Sequence, residues 1–334
     1  ALPILITSAM GVDSGLANIN TTFTCAGAYG VAKETYHCAG HKAHGTITLA
    51  EALRQSCNIY YIQLGQRVGS QTFYNYFDAF GFTSRTGVDL PSETGFMQYY
   101  KANQLGEVQL ASSAFGQAMA ITPLQMCTAV AAAVNGGYLV TPHVVDKITD
   151  ANGNVIEEIG ANVRRQVISE STSNVIRQIM EYEVGAGTGG GKYAYVSGYR
   201  IGGKSGTSEQ LNMDRRADGD YKKVASFAAV LPADDPEIIV YVMLDDPNNA
   251  RTDYSSLLAA PVVGNIISEI APYLGIAADG EDRSQTVVTV PNLVGTEWSS
   301  AQVQLNIKGL RHQLAESTTS QAAAAVTYQY PHAG

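Results

Sequence analysis

The segment IGGKSGTSEQ, residues 201–210, places a lysine, a serine, a glycine and a threonine in succession after two glycines. A lysine on a strand offers a point charge for a carboxylate, and Ser205 and Thr207 add hydroxyl groups beside Lys204. Gly206 has no side chain, so a substrate backbone can approach the strand closely there. A surface strand with an ordinary lysine has the same pattern, because short motifs recur by chance. The meaning of the segment therefore depends on what surrounds it.

The sequence around this strand predicts an α+β fold. Residues 224–247 contain two apolar runs joined by a turn with proline and aspartate, which indicates a β-hairpin. Apolar residues at helical spacing predict helices on both sides of the strand along the chain. The helical segments are 48–69, 70–82, part of 110–142, 169–184 and 255–275. We expect an antiparallel sheet flanked by helices rather than a regular alternation of strand and helix.

Composition and charge argue against several classes of function. The 334 residues carry a net charge of −9, which speaks against nucleic acid as a partner. We find no run of about twenty apolar residues, so no membrane-spanning segment is predicted within the chain. The first residues, ALPILITSAMG, lack the basic start of a signal peptide. The 4 cysteines are too few for a disulfide scaffold in a chain of this length.

A second polar tripeptide, Ser56-Cys57-Asn58, lies inside the helical stretch 48–69. Serine and asparagine one residue apart are common on helix surfaces, so the tripeptide alone indicates little. The order of SCN followed by KSG is more specific, because penicillin-binding proteins and class A β-lactamases share the motifs S-x-x-K, S-D-N and K-T-G.

Four stretches together resemble the transpeptidase domain of penicillin-binding proteins, in order and in spacing. They are TITLAEALRQSCNIYYIQLGQRVG (46–69), GVDLPSETG (87–95), SSAFGQAMAITPLQMCTAVAAAVNGGYLVTPHVV (112–145) and GYRIGGKSGTSEQ (198–210). The resemblance covers nearly all of residues 1–275. The SCN, the DLPSE loop and the C-terminal extension look most like the class B enzymes, which include sporulation-type transpeptidases. The fold implied is the penicillin-binding or serine β-lactamase-like α+β fold.

This resemblance implies a serine acyl-enzyme mechanism that cross-links peptidoglycan stem peptides and requires no cofactor. A serine attacks the D-Ala-D-Ala carbonyl, and a lysine takes its proton. Ser56 is expected to relay a proton to the leaving group, and Asn58 to hold the substrate amide and that lysine. Lys204 and Ser205 are expected to bind the substrate carboxylate together with Thr207. The backbone N–H of Thr207 would supply half of the oxyanion hole.

The chain contains no S-x-x-K motif. The resemblance places the lysine of that motif near Pro3 and its serine just before Ala1, so we expect an N-terminally truncated fragment. A membrane anchor is expected further upstream, with the catalytic domain on the extracellular side of the cell membrane. The expected partners are peptidoglycan stem peptides, β-lactam antibiotics, which mimic the dipeptide, and proteins of cell-wall synthesis or division.

Two alternatives stay open at this stage. One is a catalytically inactive scaffold or cell-wall-binding protein of the same fold. The presence of Ser56, Asn58 and Lys204 argues against it, because an inactive site has no need of them. The other is a β-lactam sensor or β-lactamase. The C-terminal extension argues against that alternative, since such proteins usually end with the catalytic domain.

Cysteines and histidines concentrate in the stretch TFTCAGAYGVAKETYHCAGHKAHG, residues 22–45, and Cys57 follows soon after. These residue types in short loops are typical ligands of a structural zinc ion, which takes four. The candidate ligands are Cys25, Cys38 and His44, with either His41 or Cys57. A Cys25–Cys38 disulfide or free thiols account for the same residues equally well.

The composition changes after residue 275. The polar stretch 276–285 is expected to be a linker between the transpeptidase domain, residues 1–275, and a module at 286–334. VTVPNLVG (288–295) and the later QYPHAG resemble a PASTA module, a type associated with muropeptide or cell-wall contact. Its last strand is missing, so the module is expected to be incomplete.

Overall fold

The described helices and strands lie between Ile4 and Ile307. A computed structural model describes residues 2–185, 189–210, 215–216, 219, 221–247, 254–278, 290–307, 310, 324–327 and 329. The α-helices are α1 (Ile4–Asp13), α2 (Leu49–Arg54), α3 (Asn58–Val68), α4 (Ser70–Ala79), α5 (Glu107–Ala114), α6 (Pro123–Val134), α7 (Glu170–Gly185), α8 (Ser255–Tyr273) and α9 (Trp298–Ile307). Short 3-10 turns lie at Ala39–His41, Ala102–Gln104 and Gly190–Ala194.

The strands form one central sheet and several two-stranded pairs. The strands are β1 (Thr22–Cys25), β2 (Ala28–Val31), β3 (Glu34–His37), β4 (Gly45–Thr48), β5 (Tyr138–Thr141), β6 (Lys147–Thr149), β7 (Val155–Glu158), β8 (Asn162–Gln166), β9 (Gly202–Glu209), β10 (Lys223–Leu231) and β11 (Ile238–Asp245). The central sheet has the order β11-β10-β9 and is antiparallel throughout. The other pairs are β1–β4, β2–β3, β5–β8 and β6–β7. The expected α+β fold with an antiparallel sheet and the hairpin in 224–247 are confirmed.

Strand β10 is apolar along its length because both faces of the central sheet are covered. Phe227, Ala229 and Leu231 belong to one hydrophobic core, with α8, whereas Ala228 and Val230 belong to the larger core, with helices such as α1 and α3. Successive side chains of a strand point to opposite faces, so alternate residues enter different cores. The sheet therefore separates two layers of helices.

Helix α8 fills one of these layers. Ala259, Val263, Ile267 and Ala271 are fully buried at four-residue spacing and face the central sheet. By length and composition α8 is also apolar enough to cross a membrane, although no membrane-spanning segment was predicted from the sequence. Its buried stripe explains this composition as that of a core helix.

Two helix starts are fixed by local capping. The Thr48 side chain accepts a hydrogen bond from the Glu51 backbone N–H, and the Glu51 carboxylate accepts one from the Thr48 backbone N–H at 2.7 Å. Thr122 and Gln125 form the same capping box ahead of Pro123, which occupies the first turn of α6. Each box satisfies backbone donors that have no partner within the helix.

Residues 22–48 form two short antiparallel strand pairs. Strands β1 and β4 pair antiparallel, with Cys25 opposite Gly45, and β2 pairs with β3, with Tyr29 opposite Tyr36. Each of these strands has four residues, too few to give a recognisable alternation among the glycines and polar residues.

The C-terminal part is described only in pieces. Leu293, Ala301 and Leu305 form a small core of their own, in which α9 takes part. The Gln329 side chain accepts from the Leu293 backbone N–H at 2.7 Å and donates to the Pro291 carbonyl at 3.0 Å. Most of the expected linker and of the expected PASTA module, including residues 330–334, lies outside the described residues.

Candidate active site

The KSG strand β9 lies at an edge of the central sheet, within the part of the chain that the structure describes. An edge strand directs alternate N–H and C=O groups away from the sheet, where an extended peptide can pair with them. Lys204 lies opposite Ala228 of β10 and is completely buried. A Cβ atom on Gly203 would lie 2.7 Å from the Phe227 ring, so this glycine lets β9 pack tightly on β10.

Ser56 lies in a break between α2 and α3, so the expected single helix over 48–69 is wrong at this point. Its φ of +49° falls in the left-handed region that residues other than glycine rarely adopt. The backbone N–H groups of Ser56 and Cys57 donate to carbonyls in the last turn of α2, which ends that helix. The Cys57 sulfur then accepts from the Tyr60 backbone N–H at 3.4 Å and caps α3. The SCN tripeptide thus forms the junction of two helices.

The junction brings Ser56 against the KSG strand. The Lys204 ammonium donates to Ser56 Oγ at 2.7 Å and to Ser205 Oγ at 3.1 Å. An ammonium between two hydroxyl groups can orient both and attract a carboxylate. The structure therefore joins the two motifs into one wall of a site.

Asn58 makes a contact that its expected role does not include. Its Nδ2 atom donates to the His37 carbonyl at 3.0 Å, which ties the first turn of α3 to the end of β3. This bond fixes the plane of the amide and leaves Oδ1 as an acceptor for a substrate N–H.

Gly206 and Thr207 continue the wall along β9. A Cβ atom on Gly206 would lie 3.0 Å from the backbone nitrogen of Leu2, so the start of the described chain passes directly over this glycine. Thr207 Oγ1 lies 3.0 Å from Ser255 Oγ and accepts from the Ser255 backbone N–H at 3.2 Å. The Thr207 hydroxyl therefore fastens the start of α8, a contact that competes with its expected role in carboxylate binding.

Glu183 contacts Lys204 and Ser205 of this site, and it was not among the residues predicted from the sequence. It is completely buried, and its Oε1 atom lies 3.2 Å from the Lys204 ammonium. Burial raises the pKa of Glu183 to about 7, although Lys204 and Ser205 act to lower it. The sequence could have indicated the burial of Glu183 through its position on α7. Ile176, Ile179, Met180 and Glu183 lie at helical spacing and form one buried stripe. A carboxylate in an apolar stripe indicates a buried partner.

Four of the five candidate metal ligands come together beside this site. The ligand atoms of Cys25, Cys38, His44 and Cys57, here called the Cys/His cluster, all lie within 4.8 Å of one another. The Cys25–Cys38 and Cys38–Cys57 sulfur pairs are 3.5 Å and 3.7 Å apart. The Cys25 sulfur lies 3.5 Å from His44 Nδ1. His41 is outside the cluster and packs against His37 instead, with ring centroids 4.2 Å apart and the rings tilted by 49°.

These separations fit a tetrahedral zinc ion. Thiolates bound to zinc at ~2.3 Å lie roughly 3.8 Å from one another when the four ligands are tetrahedral. A hydrogen bond from the Cys57 thiol holds the pKa of Cys38 down to about 5, and the thiol form of Cys57 is favoured in turn. Cys57 directly follows Ser56, so the cluster and the KSG wall share one backbone junction.

Comparison with known proteins gives a consistent result. Residues 5–268 match the family described as penicillin binding protein transpeptidase domain. Stage V sporulation protein D of Bacillus subtilis is 36% identical over 282 residues, which are 81% of this chain and 43% of that protein. Peptidoglycan D,D-transpeptidase FtsI of Escherichia coli is 27% identical over 261 residues, 76% of this chain and 42% of that protein.

A solved structure agrees in fold. Penicillin binding protein 3 of Mycobacterium tuberculosis, crystallised with aztreonam, superposes with a TM-score of 0.73 at 26% identity, covering 83% of this chain and 62% of that one. The chain spans somewhat less than half the length of the curated relatives named above.

Proposed function

The chain belongs to the transpeptidase family of penicillin-binding proteins, and we propose that it provides most of the site of a peptidoglycan D,D-transpeptidase. The observation that carries the proposal is the contact of 2.7 Å between Lys204 Nζ and Ser56 Oγ. It unites the KSG strand with the SCN junction, as a serine acyl-transfer site of this family requires.

The reaction would proceed through an ester between enzyme and stem peptide. A serine oxygen attacks the carbonyl carbon of the D-Ala-D-Ala bond, and its proton passes to a lysine. The tetrahedral oxyanion accepts from the Thr207 backbone N–H, and Lys204 attracts the terminal carboxylate. The C–N bond then breaks as Ser56 passes its proton to the leaving amine and takes up the proton that the lysine had received. An amine from a neighbouring stem peptide attacks the ester and loses a proton, which the released serine takes up.

The nucleophilic serine of S-x-x-K is proposed to lie upstream of Ala1. The 334 residues contain no S-x-x-K motif, and the backbone nitrogen of Leu2 lies close to Gly206. A segment entering the site at this point can place a nucleophile beside β9. A membrane anchor further upstream would hold the domain on the extracellular side of the cell membrane. Names of relatives, such as Stage V sporulation protein D and FtsI, support a role with proteins of sporulation or division.

Labelling with fluorescent penicillin tests the function. The natural full-length protein and the 334-residue chain are treated in parallel, and the labelled peptide is identified by mass spectrometry. We expect a label on a serine upstream of Leu2 in the full-length protein and none on the chain. A label within the chain would contradict the proposed position of the nucleophile. Absence of label from both proteins would favour the scaffold function.

The Cys/His cluster is proposed to hold a structural zinc ion through Cys25, Cys38, His44 and Cys57. Three sulfurs and an imidazole are ligands that zinc prefers, and their spacing supports tetrahedral binding. The ion would clamp the β1–β4 pair and the end of β3 to the start of α3. Metal analysis after purification without oxygen is expected to give one zinc ion per chain. Peptide mapping that finds a Cys25–Cys38 disulfide would contradict this proposal.

The C-terminal residues 286–334 are proposed to be part of a PASTA module in contact with the cell wall. The bonds of Gln329 to the VPNLVG stretch support a folded unit. Cosedimentation of the chain with purified peptidoglycan, compared with residues 1–275 alone, tests this contact.

A further inference from the structure

Glu183 is a buried carboxylate that the roles assigned above leave without a function. It closes the buried stripe of α7, and the side chains of both Glu183 and Lys204 have 0% exposure. Burying two opposite charges requires offsetting contacts, and such pairs are often less stabilising than apolar residues of the same volume. Stability alone therefore does not explain this pair.

The contacts of Glu183 all lead to the KSG strand. Its Oε1 atom accepts from the Lys204 ammonium at 3.2 Å and from the Ser205 hydroxyl at 3.4 Å. Its Oε2 atom is buried and has no hydrogen-bond partner among the described residues. The carboxylate thus contacts both Lys204, whose ammonium holds Ser56, and the neighbouring Ser205.

A glycine-rich turn, residues 189–191, packs against Glu183 and Ser205. A Cβ atom on Gly189 would lie 2.7 Å from the Glu183 carbonyl oxygen, and one on Gly191 would lie 3.0 Å from it. A Cβ atom on Gly190 would lie 3.4 Å from Ser205 Oγ. The turn can come this close to both residues only because these three positions carry no side chain.

We propose that Glu183 is a positioning residue of the acylation site, whose carboxylate holds the Lys204 ammonium between Ser56 and Ser205. This inference rests on the proposed transpeptidase function and deepens it. The ammonium must face the substrate carboxylate and Ser56 at once, and a fixed counter-charge behind it restricts its position. Glu183 touches no substrate and acts through Lys204.

The rate of acylation should depend on pH through Glu183. The groups that face or adjoin Glu183 are Lys204 and Ser205 on β9, Tyr61 on α3, and Arg54 and Tyr182 where α2 meets α7. Because burial raises the pKa of Glu183 to about 7, the carboxylate gains a proton as the pH falls through neutrality. The ion pair is then lost, so the rate of acylation should fall on the acidic side of that pKa.

The test compares acylation rates across pH in the natural full-length protein. The second-order rate constant for a fluorescent penicillin is measured between about pH 6 and pH 8, a window that brackets this pKa. Four proteins are used, namely the wild type, Glu183→Gln, Glu183→Asp and Glu181→Gln. Glu181 lies on the same helix but pairs with Arg200 at 2.6 Å, which makes it the matched control.

We expect the wild-type rate to fall below about pH 7, and Glu183→Gln to be slower by about 10²-fold with a flat profile. Glu183→Asp should recover part of the rate and the pH limb, and Glu181→Gln should match the wild type. A wild-type rate and profile in Glu183→Gln would overturn the inference. If Glu183→Gln does not fold, the wild type alone provides the test, and an acylation rate that does not change with pH would overturn the inference. Absence of any wild-type labelling would instead overturn the proposed function, and this inference with it.

Discussion

The Nζ atom of Lys204 lies 2.7 Å from the Oγ atom of Ser56, although 148 residues separate the two along the chain. One comes from an edge strand and the other from a break between two helices. Their contact makes a single site of two motifs that are each unremarkable alone.

Replacing Lys204 should abolish labelling by penicillin. In the full-length protein, Lys204→Ala removes the charge that faces the substrate carboxylate, and we expect labelling to slow by at least about 10²-fold. Lys147→Ala, on the exposed strand β6, is the control and should label normally. Circular dichroism shows whether the variant folds. Normal labelling of a folded Lys204→Ala protein would contradict the assigned site.

Two substitutions of Ser56 separate its hydroxyl from its backbone. Ser56→Ala and Ser56→Gly both remove Oγ, and each should lower turnover by about 10² to 10⁴-fold. At φ +49° glycine relieves a left-handed conformation that costs alanine roughly 1–2 kcal/mol. Denaturation in urea should therefore find the glycine variant more stable than the alanine variant. Equal stability of the two variants would mean that the left-handed conformation of residue 56 causes no strain. Full activity in either variant would show that the Ser56 hydroxyl has no part in the mechanism.

Gly206 is expected to tolerate no side chain. In Gly206→Ala the new methyl group would lie 2.8 Å from Ser226 Oγ and 3.0 Å from the Leu2 nitrogen. We expect a loss of roughly 1–3 kcal/mol in the free energy of unfolding, together with slower labelling. Gly30→Ala is the control, since no heavy atom of the described residues lies within 4 Å of an added Cβ there. An unchanged Gly206→Ala variant would show that the chain start does not pack on β9.

Removal of the proposed zinc ion should weaken both the fold and the active site. With free zinc at about 1,000 times its Kd, the ion would contribute about 4 kcal/mol to stability, and a chelator should remove this contribution. Labelling should slow as well, because Cys57 adjoins Ser56. Cys57→Ser should lose the metal, whereas Cys127→Ser, outside the cluster, should retain it. A chelator without effect on melting temperature would argue for free thiols or a disulfide.

Stability should depend on pH through Glu183. Its pKa is about 7 in the folded chain and near the ordinary 4.5 when unfolded, so between these values the folded state binds more protons. Stability from this group is therefore complete below about pH 4.5 and is lost as the pH rises through 7. Relative to Glu183→Gln, the wild type should lose at most about 3 kcal/mol over this range. Parallel pH dependences of the two proteins in urea denaturation would contradict the raised pKa.

Some elements of the fold could be predicted from the sequence, because they depend only on residues that are close together in the chain. The capping box of Thr48 and Glu51 spans four residues, and the hairpin of β10 and β11 needs only two apolar runs and a turn. The order of the SCN and KSG motifs also indicated the family. Helical spacing, by contrast, continued straight through Ser56, because a hydrophobic pattern does not record the sign of φ at one residue.

Sequence alone determined the α+β architecture, the family and the residue types available for catalysis and for metal binding. Tertiary structure decided which of them meet. In the folded chain Cys57 belongs to the Cys/His cluster and His41 does not, and Glu183 is buried beside Lys204. Contacts of this kind depend on distances between residues far apart in the chain and on exclusion of water, and local spacing rules carry no information about either.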